Sequence, residues 1–218
     1  MALIGISGHA RVGKDTFAGM LAAELNKEAY PPYVMMAFAN ELKLRCQAAF
    51  DLTWEQLWGD DKEKEDKRYI KHFTTMTDTQ NDGSAVIGLY WTAREIMQNY
   101  GAFYRTIDSE FWVKNLFKVV QEKEYTNVII TDVRYINEAD YIIDNGGYVI
   151  RIERANKDDV HNMLHPSEVE LDGYKRFSFN VINDWGLEEL KEAASDVAGF
   201  FKELEKKFKN LKEIKVNG

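Results

Sequence analysis

A glycine-rich stretch between an apolar run and a helical pattern is the feature that most constrains what this chain can fold into. Residues 8–16 read GHARVGKDT. Before them, residues 2–7 (ALIGIS) suit a buried strand, and after them apolar side chains recur at helical spacing through residues 17–25. Gly8 and Gly13 allow the backbone to turn tightly and to bring its N–H groups close to an anion, which the positive end of the following helix also attracts. The pattern predicts a phosphate-binding loop between a strand and a helix.

Lys14 would reach the outer phosphates of such a ligand as a mobile point charge. The next position is usually a Ser or Thr that binds Mg²⁺, but here it is Asp15. The alternative is a turn that joins strand to helix without a ligand, with Lys14 as a solvated residue. A cation in the first helical turn opposes the helix dipole, and a bound phosphate supplies a reason for it.

Apolar runs and helical patterns alternate along the rest of the chain. Strands are predicted at residues 33–39, 127–132, 148–153 and 179–183, and helices at 40–50, 53–58, 92–100, 110–123, 137–144 and 187–208. This alternation predicts an α/β fold with a parallel sheet covered on both faces, in which ligands bind at the carboxyl ends of strands. The phosphate loop and residues 132–134 both follow such strand ends and can therefore meet.

Other segments are less regular. Residues 60–67 form a charge run that is typical of a solvated helix face. Residues 74–88 are polar and rich in Thr, with a turn signal at 81–83, and fit either a small hairpin or a mobile loop. The polar residues 155–175 suit a loop or lid, and the insertion of residues 40–125 is long enough for a substrate lobe.

Composition excludes several function classes. The net charge of −8 argues against a broad nucleic-acid footprint, because polymer binding relies on an extended basic face. The single cysteine, Cys46, cannot form an intramolecular disulfide and favours a reducing compartment. No apolar run approaches the roughly 20 residues that span a bilayer, and the first residues lack the basic flank and apolar core of a signal peptide. We therefore expect a soluble cytoplasmic protein without a membrane partner.

The phosphate loop is followed by further recognisable blocks. They are TAREIMQNYG at 92–101, Arg105, FWVK at 111–114, DVR at 132–134, NEAD at 137–140, HPSE at 165–168 and NDWGLEEL at 183–190. Together with the loop, and in this order, these blocks resemble the phage-type deoxynucleoside monophosphate kinases. Animal-type phosphomevalonate kinases are similar in the loop and in an Arg-containing block before the third strand. Asp15 agrees with both families.

The resemblance implies a P-loop kinase-like three-layer sandwich, an α/β domain of residues 1–218 with a mainly parallel five-stranded sheet. Residues 40–125 would be its helical substrate-binding insertion and residues 155–175 its lid. The implied reaction transfers the γ-phosphoryl group of ATP to a deoxynucleoside monophosphate (dNMP), a small-molecule partner, with Mg²⁺ as the metal. The alternatives are a kinase of another phosphorylated metabolite, similar to phosphomevalonate kinase, and a non-catalytic ATP-binding module. A nucleic-acid polymer is not expected, a homodimer stays open, and a phage-encoded protein would act in the host cytoplasm.

On the donor side, the loop pattern and the resemblance point to residues that would hold ATP and its metal. They are Gly8, Arg11, Val12, Gly13, Lys14, Asp15 and Thr16 in the loop, and Asn183 and Gly186 in an adenine-side turn. Asp15 and Asp132 are the expected Mg²⁺ carboxylates, directly or through water, with Thr16 as a fallback. The plainer interpretations are a dipole-favoured first-turn carboxylate for Asp15, a strand-end cap for Asp132 and a helix-entry turn for Asn183.

On the acceptor side, Arg94 is expected to clamp the substrate phosphate through its planar fork, unless it forms only a surface ion pair. Gln98 follows one turn later on the same helix face. The secondary substrate-binding residues are Lys43, Lys62, Arg105 and Glu168, of which the first three are equally explained as solvated charges. Arg134 and Arg154 would stabilise charge on the transferring group, with salt bridges as the alternative. The predicted catalytic set is Lys14, Asp15, Arg94, Asp132, Arg134 and Arg154.

Overall fold

The computed structural model describes residues 2–78, 83–154, 166–184 and 186–216. In chain order its strands are β1 (Ala2–Ser7), β2 (Val34–Met36), β3 (Glu65–Asp78), β4 (Gly83–Thr92), β5 (Asn127–Val133), β6 (Tyr148–Glu153) and β7 (Phe179–Ile182). Its helices are α1 (Lys14–Leu25), α2 (Phe38–Phe50), α3 (Trp54–Leu57), α4 (Ala93–Ile107), α5 (Phe111–Glu122), α6 (Ile136–Asp144), α7 (Pro166–Val169) and α8 (Leu187–Val216), with a 3₁₀ turn at Asp61–Glu63. No helix in this described part is long and apolar enough to cross a membrane.

The chain divides into two compact units, Met1–Phe38 with Val113–Gly218, and Ala39–Trp112. The second unit therefore ends earlier than the insertion of residues 40–125 that the sequence predicts. The reason lies in α5, whose residues Val113 and Leu116 are buried in the core of the first unit.

The first unit is built on a five-stranded sheet in the order β2-β5-β1-β6-β7, and all its pairings are parallel. Side chains of β1 alternate between its two faces, as the period of a strand requires. Ile4 and Ile6 pack against α1 and α8, in a cluster with Phe17 and Leu190. Leu3 packs on the other face with buried residues of α5 and α6. Helices thus cover both faces, which confirms the predicted three-layer α/β sandwich.

The register of the central strands brings the predicted strand-end residues to one edge. Ser7, the last residue of β1, pairs with Val133 of β5 and with Arg151 of β6. The phosphate loop, residues 132–134 and the end of β6 therefore leave the sheet side by side.

The second unit combines α2, α3 and α4 with an antiparallel hairpin of β3 and β4. The hairpin interpretation of residues 74–88 is thus the one observed, and its turn at 79–82 lies outside the described residues. The expected helix face at residues 60–67 is wrong, because β3 begins at Glu65, which pairs with Thr92 across the hairpin. The charged residues of this run instead lie on the 3₁₀ turn and on the first part of β3.

Helix α4 begins where its cap predicts and continues further than expected. The Thr92 hydroxyl accepts from the Glu95 N–H, and the Glu95 carboxylate accepts from the Thr92 N–H, a reciprocal capping box. The predicted end at Gly101 is wrong, because the helix runs to Ile107. Gly101 is buried inside it, and a Cβ there would lie 3.4 Å from the Leu42 side chain. That distance is an ordinary contact. Gly101 lacks the left-handed φ of a glycine that ends a helix, so α4 continues through it.

Candidate active site

The loop after β1 has a backbone that is suited to anion binding. Gly13 is left-handed, with φ 94° and ψ 13°, and Arg11 has φ 62°. Helix α1 starts at Lys14, directly after Gly13, so its first N–H groups lie at the end of the loop. Such a helix start attracts anions through both its donors and its dipole.

The charged residues of this helix start differ in exposure. Lys14 is buried, with 7% of its surface exposed, whereas Asp15 and Thr16 are exposed in the first turn of α1. A buried ammonium group at a helix N-terminus is costly unless anionic or polar groups accompany it. The two exposed side chains present oxygen atoms, the ligand type that Mg²⁺ prefers.

Asn183 contacts the loop with its side chain, which the sequence did not predict. Its Nδ2 donates a 2.8 Å hydrogen bond to the Val12 carbonyl, and its side chain is buried. The predicted adenine-side turn continues to Gly186, which has φ 132° and precedes α8. Trp185 lies outside the described residues.

Asp132 lies at the carboxyl end of β5, next to the strand that carries the loop. Its Oδ1 accepts a 2.7 Å hydrogen bond from the Phe38 N–H, the first residue of α2. The plainer interpretation, a strand-end carboxylate that caps a following element, therefore describes one of its contacts. The Mg²⁺ role stays a prediction.

Arg134 follows two residues later and is joined to the segment around α7. Its Nη1 donates to the Ser167 carbonyl at 3.2 Å. The Ile136 N–H donates to Glu170 at 3.0 Å, and Leu171 is buried in the core of the first unit. Residues 166–175 of the predicted lid are therefore attached to the core, and residues 155–165 lie outside the described part. Within α7, the side chain of Glu168 also lies outside it.

A buried cation beneath the loop is the main feature that sequence reasoning missed. Arg151 of β6 is 4% exposed and donates to the Ser7 hydroxyl at 3.2 Å and to Asp172 at 2.7 Å. Its Nη2 also lies 3.0 Å from His9 Nε2, and this His9 atom is 2.9 Å from the same Asp172 oxygen. A charged residue inside the apolar run YVIRIE could have signalled it, since a buried charge needs partners.

Arg154, predicted to act on the transferring group, is exposed just after β6. Its Nε donates a 3.0 Å hydrogen bond to the backbone carbonyl of Asn183. Asn183 therefore contacts the phosphate loop with its side chain and Arg154 with its main chain.

In the second unit, Arg94 lies in the first turn of α4 and its Nε donates to the Glu63 carboxylate of the 3₁₀ turn. The ion pair that the sequence left as an alternative is thus present, and phosphate binding by Arg94 stays a prediction. Gln98 is half-buried one turn along, and Arg105 lies in the last turn of the same helix. Lys43 lies 5.5 Å from the centre of the Trp58 ring, and Lys62 is half-buried on the 3₁₀ turn.

A cavity of about 340 Å³ in this unit lies on another face of α4. Ile96, Asn99 and Tyr100 line it, together with Trp91 of the hairpin. At about 100° per residue, these helix positions face away from the stripe that carries Arg94 and Gln98. The aromatic cavity and the predicted phosphate clamp are therefore separate surfaces of one helix.

No group of three or more His, Cys, Asp or Glu side chains that could hold a metal occurs among the residues described. A cation held by only Asp15, Thr16 or Asp132 would keep several waters or take phosphate oxygens from a ligand. That ligand set is common for Mg²⁺, which dehydrates reluctantly. The side chains present thus fit Mg²⁺ bound together with a polyphosphate better than a metal caged by protein alone.

Comparisons with known proteins agree with this geometry. The deoxynucleotide monophosphate kinase family model matches residues 34–194. A protein of Acanthamoeba polyphaga mimivirus, described as "Putative deoxynucleotide monophosphate kinase", is 33% identical over 194 residues, which cover 87% of this chain and 92% of that protein. The family model begins after residues 8–16. The interpretation of these residues as a phosphate loop therefore depends on their sequence pattern and backbone geometry, and not on the family match.

Proposed function

Because the chain belongs to the deoxynucleotide monophosphate kinase family, we propose that it transfers the γ-phosphoryl group of ATP to the phosphate of a dNMP. The products would be ADP and the deoxynucleoside diphosphate. The observation that carries the donor half of this proposal is the loop with left-handed Gly13 directly before the start of helix α1.

The reaction requires mainly that the protein position the two phosphates and neutralise their negative charge. The acceptor is a phosphate oxygen that is already ionised at neutral pH, so no strong general base is needed. The reaction needs the two phosphates held in line, with their negative charge neutralised and water excluded. A site built from backbone donors, one lysine and several arginines is suited to this task.

On the donor side, Lys14 and the N–H groups at the start of α1 would hold the β- and γ-phosphates. Mg²⁺, when bound, would neutralise charge on the donor phosphates, and Asp15, Thr16 and Asp132 are the residues that would hold it. Arg134 and Arg154 leave the same sheet edge as the loop. They would stabilise the charge that develops on the transferring group.

On the acceptor side, we propose that the dNMP phosphate replaces Glu63 as the partner of Arg94. Both partners are partly exposed, with side chains 34% and 60% accessible for Arg94 and Glu63. An exposed ion pair contributes little free energy, so an incoming phosphate dianion can displace the carboxylate. Gln98 would lie on the same face and contact the nucleotide.

A substrate panel tests the proposal. Purified protein with ATP and Mg²⁺ is incubated with each of the four common dNMPs and, separately, with phosphomevalonate, and the products are resolved by chromatography. We expect ADP and a deoxynucleoside diphosphate from at least one dNMP. Activity only with phosphomevalonate, or ATP binding without transfer to any acceptor, would overturn it.

Lys14→Ala gives the panel its internal control. It should lower kcat by about a hundredfold or more, because it removes the positive charge that would stabilise the phosphoryl group during transfer. Lys27→Ala is the matched variant, since Lys27 lies just beyond the other end of α1 and pairs there with Glu24. It should leave turnover unchanged.

A further inference from the structure

We propose that Asn183 is a positioning residue for phosphoryl transfer, which orients the phosphate loop through its side chain and Arg154 through its backbone. The inference rests on the function proposed above and adds a role that the loop motif itself does not contain. It adds a contact to the loop, and the adenine contact that the sequence predicts for this turn stays a prediction.

The hydrogen bond from the Asn183 side chain to the loop is buried and requires a donor at this position. Asn183 is 5% exposed and Val12 is 7% exposed, and the Nδ2 atom of the first lies 2.8 Å from the carbonyl oxygen of the second. A carbonyl oxygen only accepts, so the position requires a donor. An Asn meets that requirement, whereas an Asp of the same shape would place one oxygen against another.

Gly13 makes room for this contact. A Cβ at Gly13 would lie 2.6 Å from Asn183 Nδ2, closer than real side chains approach. Gly13 is therefore needed both for its left-handed φ of 94° and for the space that the amide of Asn183 occupies. The two residues, far apart in sequence, form one packing unit.

Holding the Val12 carbonyl also determines the direction of a loop donor. In a trans peptide the carbonyl oxygen and the next N–H point in opposite directions. With the Val12 oxygen directed at Asn183, the N–H of Gly13 points away from the buried amide. One side-chain hydrogen bond thus orients a backbone donor immediately before the start of α1.

The main-chain arm joins the same residue to Arg154. The Asn183 N–H donates to the Glu153 carbonyl at 2.8 Å, which continues the pairing of β6 with β7. The Asn183 carbonyl then accepts from Arg154 Nε at 3.0 Å. The sheet therefore holds Asn183 in place, and Asn183 relates the loop to the arginine.

Asn183→Asp and Asn183→Ala test the side-chain arm. Both remove the donor to Val12, and only the first adds an opposing oxygen. Asn180→Asp is the matched control, because Asn180 lies on β7, the strand that Asn183 directly follows, with an exposed side chain. For each protein we would measure the thermal unfolding midpoint, the Kd for ATP by calorimetry without acceptor, and the KM for each substrate.

We expect both Asn183 variants to fold and to bind ATP about tenfold or more weakly, the Asp variant more so, with the dNMP KM within about twofold of wild type. Asn180→Asp should match wild type in every measurement. ATP affinity within about twofold of wild type in a folded Asn183 variant would overturn the inference. So would equal weakening of both substrates, or failure of both variants to fold, because either result indicates a general structural role.

The ATP titration needs no acceptor and therefore separates this inference from the proposed function. If wild-type protein binds ATP but phosphorylates no dNMP, the proposed function fails while the titration still decides whether Asn183 orients the loop.

Discussion

The carboxylate of Asp132 accepts a 2.7 Å hydrogen bond from the backbone N–H of Phe38, 94 residues earlier in the chain. Phe38 is the first residue of α2, and the first N–H groups of a helix lack partners within the helix. Asp132 therefore accepts a hydrogen bond from an N–H group at a helix start. It lies at the strand end beside the phosphate loop. Substitution can separate this structural contact from the Mg²⁺ binding that is predicted for Asp132.

Asp132→Asn keeps an oxygen that can accept from Phe38, whereas Asp132→Ala does not. We expect Ala to lower the free energy of unfolding by about 1 kcal/mol, the usual worth of a helix-capping contact, and Asn to change it little. If Asp132 helps to hold Mg²⁺, both variants should lower kcat at saturating ATP and require more Mg²⁺. Urea unfolding and Mg²⁺ titrations of activity measure the two effects. Wild-type kcat and Mg²⁺ dependence in the Asn variant would restrict Asp132 to its structural contact.

The pairing of Arg94 with Glu63 makes a second prediction. Glu63→Gln should lower the dNMP KM by about twofold to fivefold, because an exposed ion pair that the substrate must break is worth up to about 1 kcal/mol. Arg94→Lys should raise the same KM by about tenfold while the KM for ATP stays unchanged, since Lys cannot form the paired hydrogen bonds.

Asp61→Asn is the control for this pair of variants. Asp61 lies on the same 3₁₀ turn but pairs with Lys64, so its removal should not affect the dNMP KM. A change in the ATP constant alone in Arg94→Lys would show that Arg94 does not bind the acceptor.

The stability of the second unit should depend on pH through Asp66. Hydrogen bonds from Arg68 hold the pKa of this buried carboxyl well below its ordinary value, although desolvation acts in the opposite direction. Because the folded pKa is the lower one, the stabilisation is complete above the unfolded pKa of about 3.9 and is lost as pH falls from there towards the folded pKa. Asp66→Asn should cost about 2 kcal/mol at pH 7.

Urea unfolding of wild type and Asp66→Asn at pH 7 and near pH 3 measures this dependence, and the difference between the two proteins should shrink at the lower pH. Asp51→Asn is the matched control, because Asp51 also pairs with Arg68 but its side chain is 99% exposed. It should have little effect at either pH. If Asp66→Asn lowered the free energy of unfolding by the same amount at both pH values, Asp66 would not be the group that makes stability depend on pH.

Cys46 provides a probe of the same unit. Burial raises the pKa of its thiol to about 12, and its side chain is fully enclosed. Native protein at pH 8 should therefore react with a thiol reagent far more slowly than unfolded protein, because the thiolate is the reactive form. Labelling rates in increasing urea would follow the opening of this core. Rapid labelling without denaturant would show that the core opens under native conditions.

Local patterns in the sequence were sufficient for the elements that position the donor site. The apolar run, the glycines and the helical spacing of residues 2–25 predicted β1, the loop and α1, because strand and helix periods are local properties. Thr92, a residue type that favours the N-cap position, predicted the start of α4 for the same reason. The end of that helix was mispredicted, because Gly101 has a helical rather than a left-handed backbone, and the sequence pattern does not distinguish the two.

Contacts between distant residues required the tertiary structure. Asn183 reaches Val12 across 171 residues, and Arg151 joins Ser7 and His9 to Asp172 because β6 lies beside β1 in the sheet. The sequence by itself determined that a strand, a glycine-containing loop and a helix follow one another, and which blocks resemble a kinase. Only the fold decided which side chains contact that loop, because hydrogen bonds depend on distance and direction in space, and strand order places their partners there.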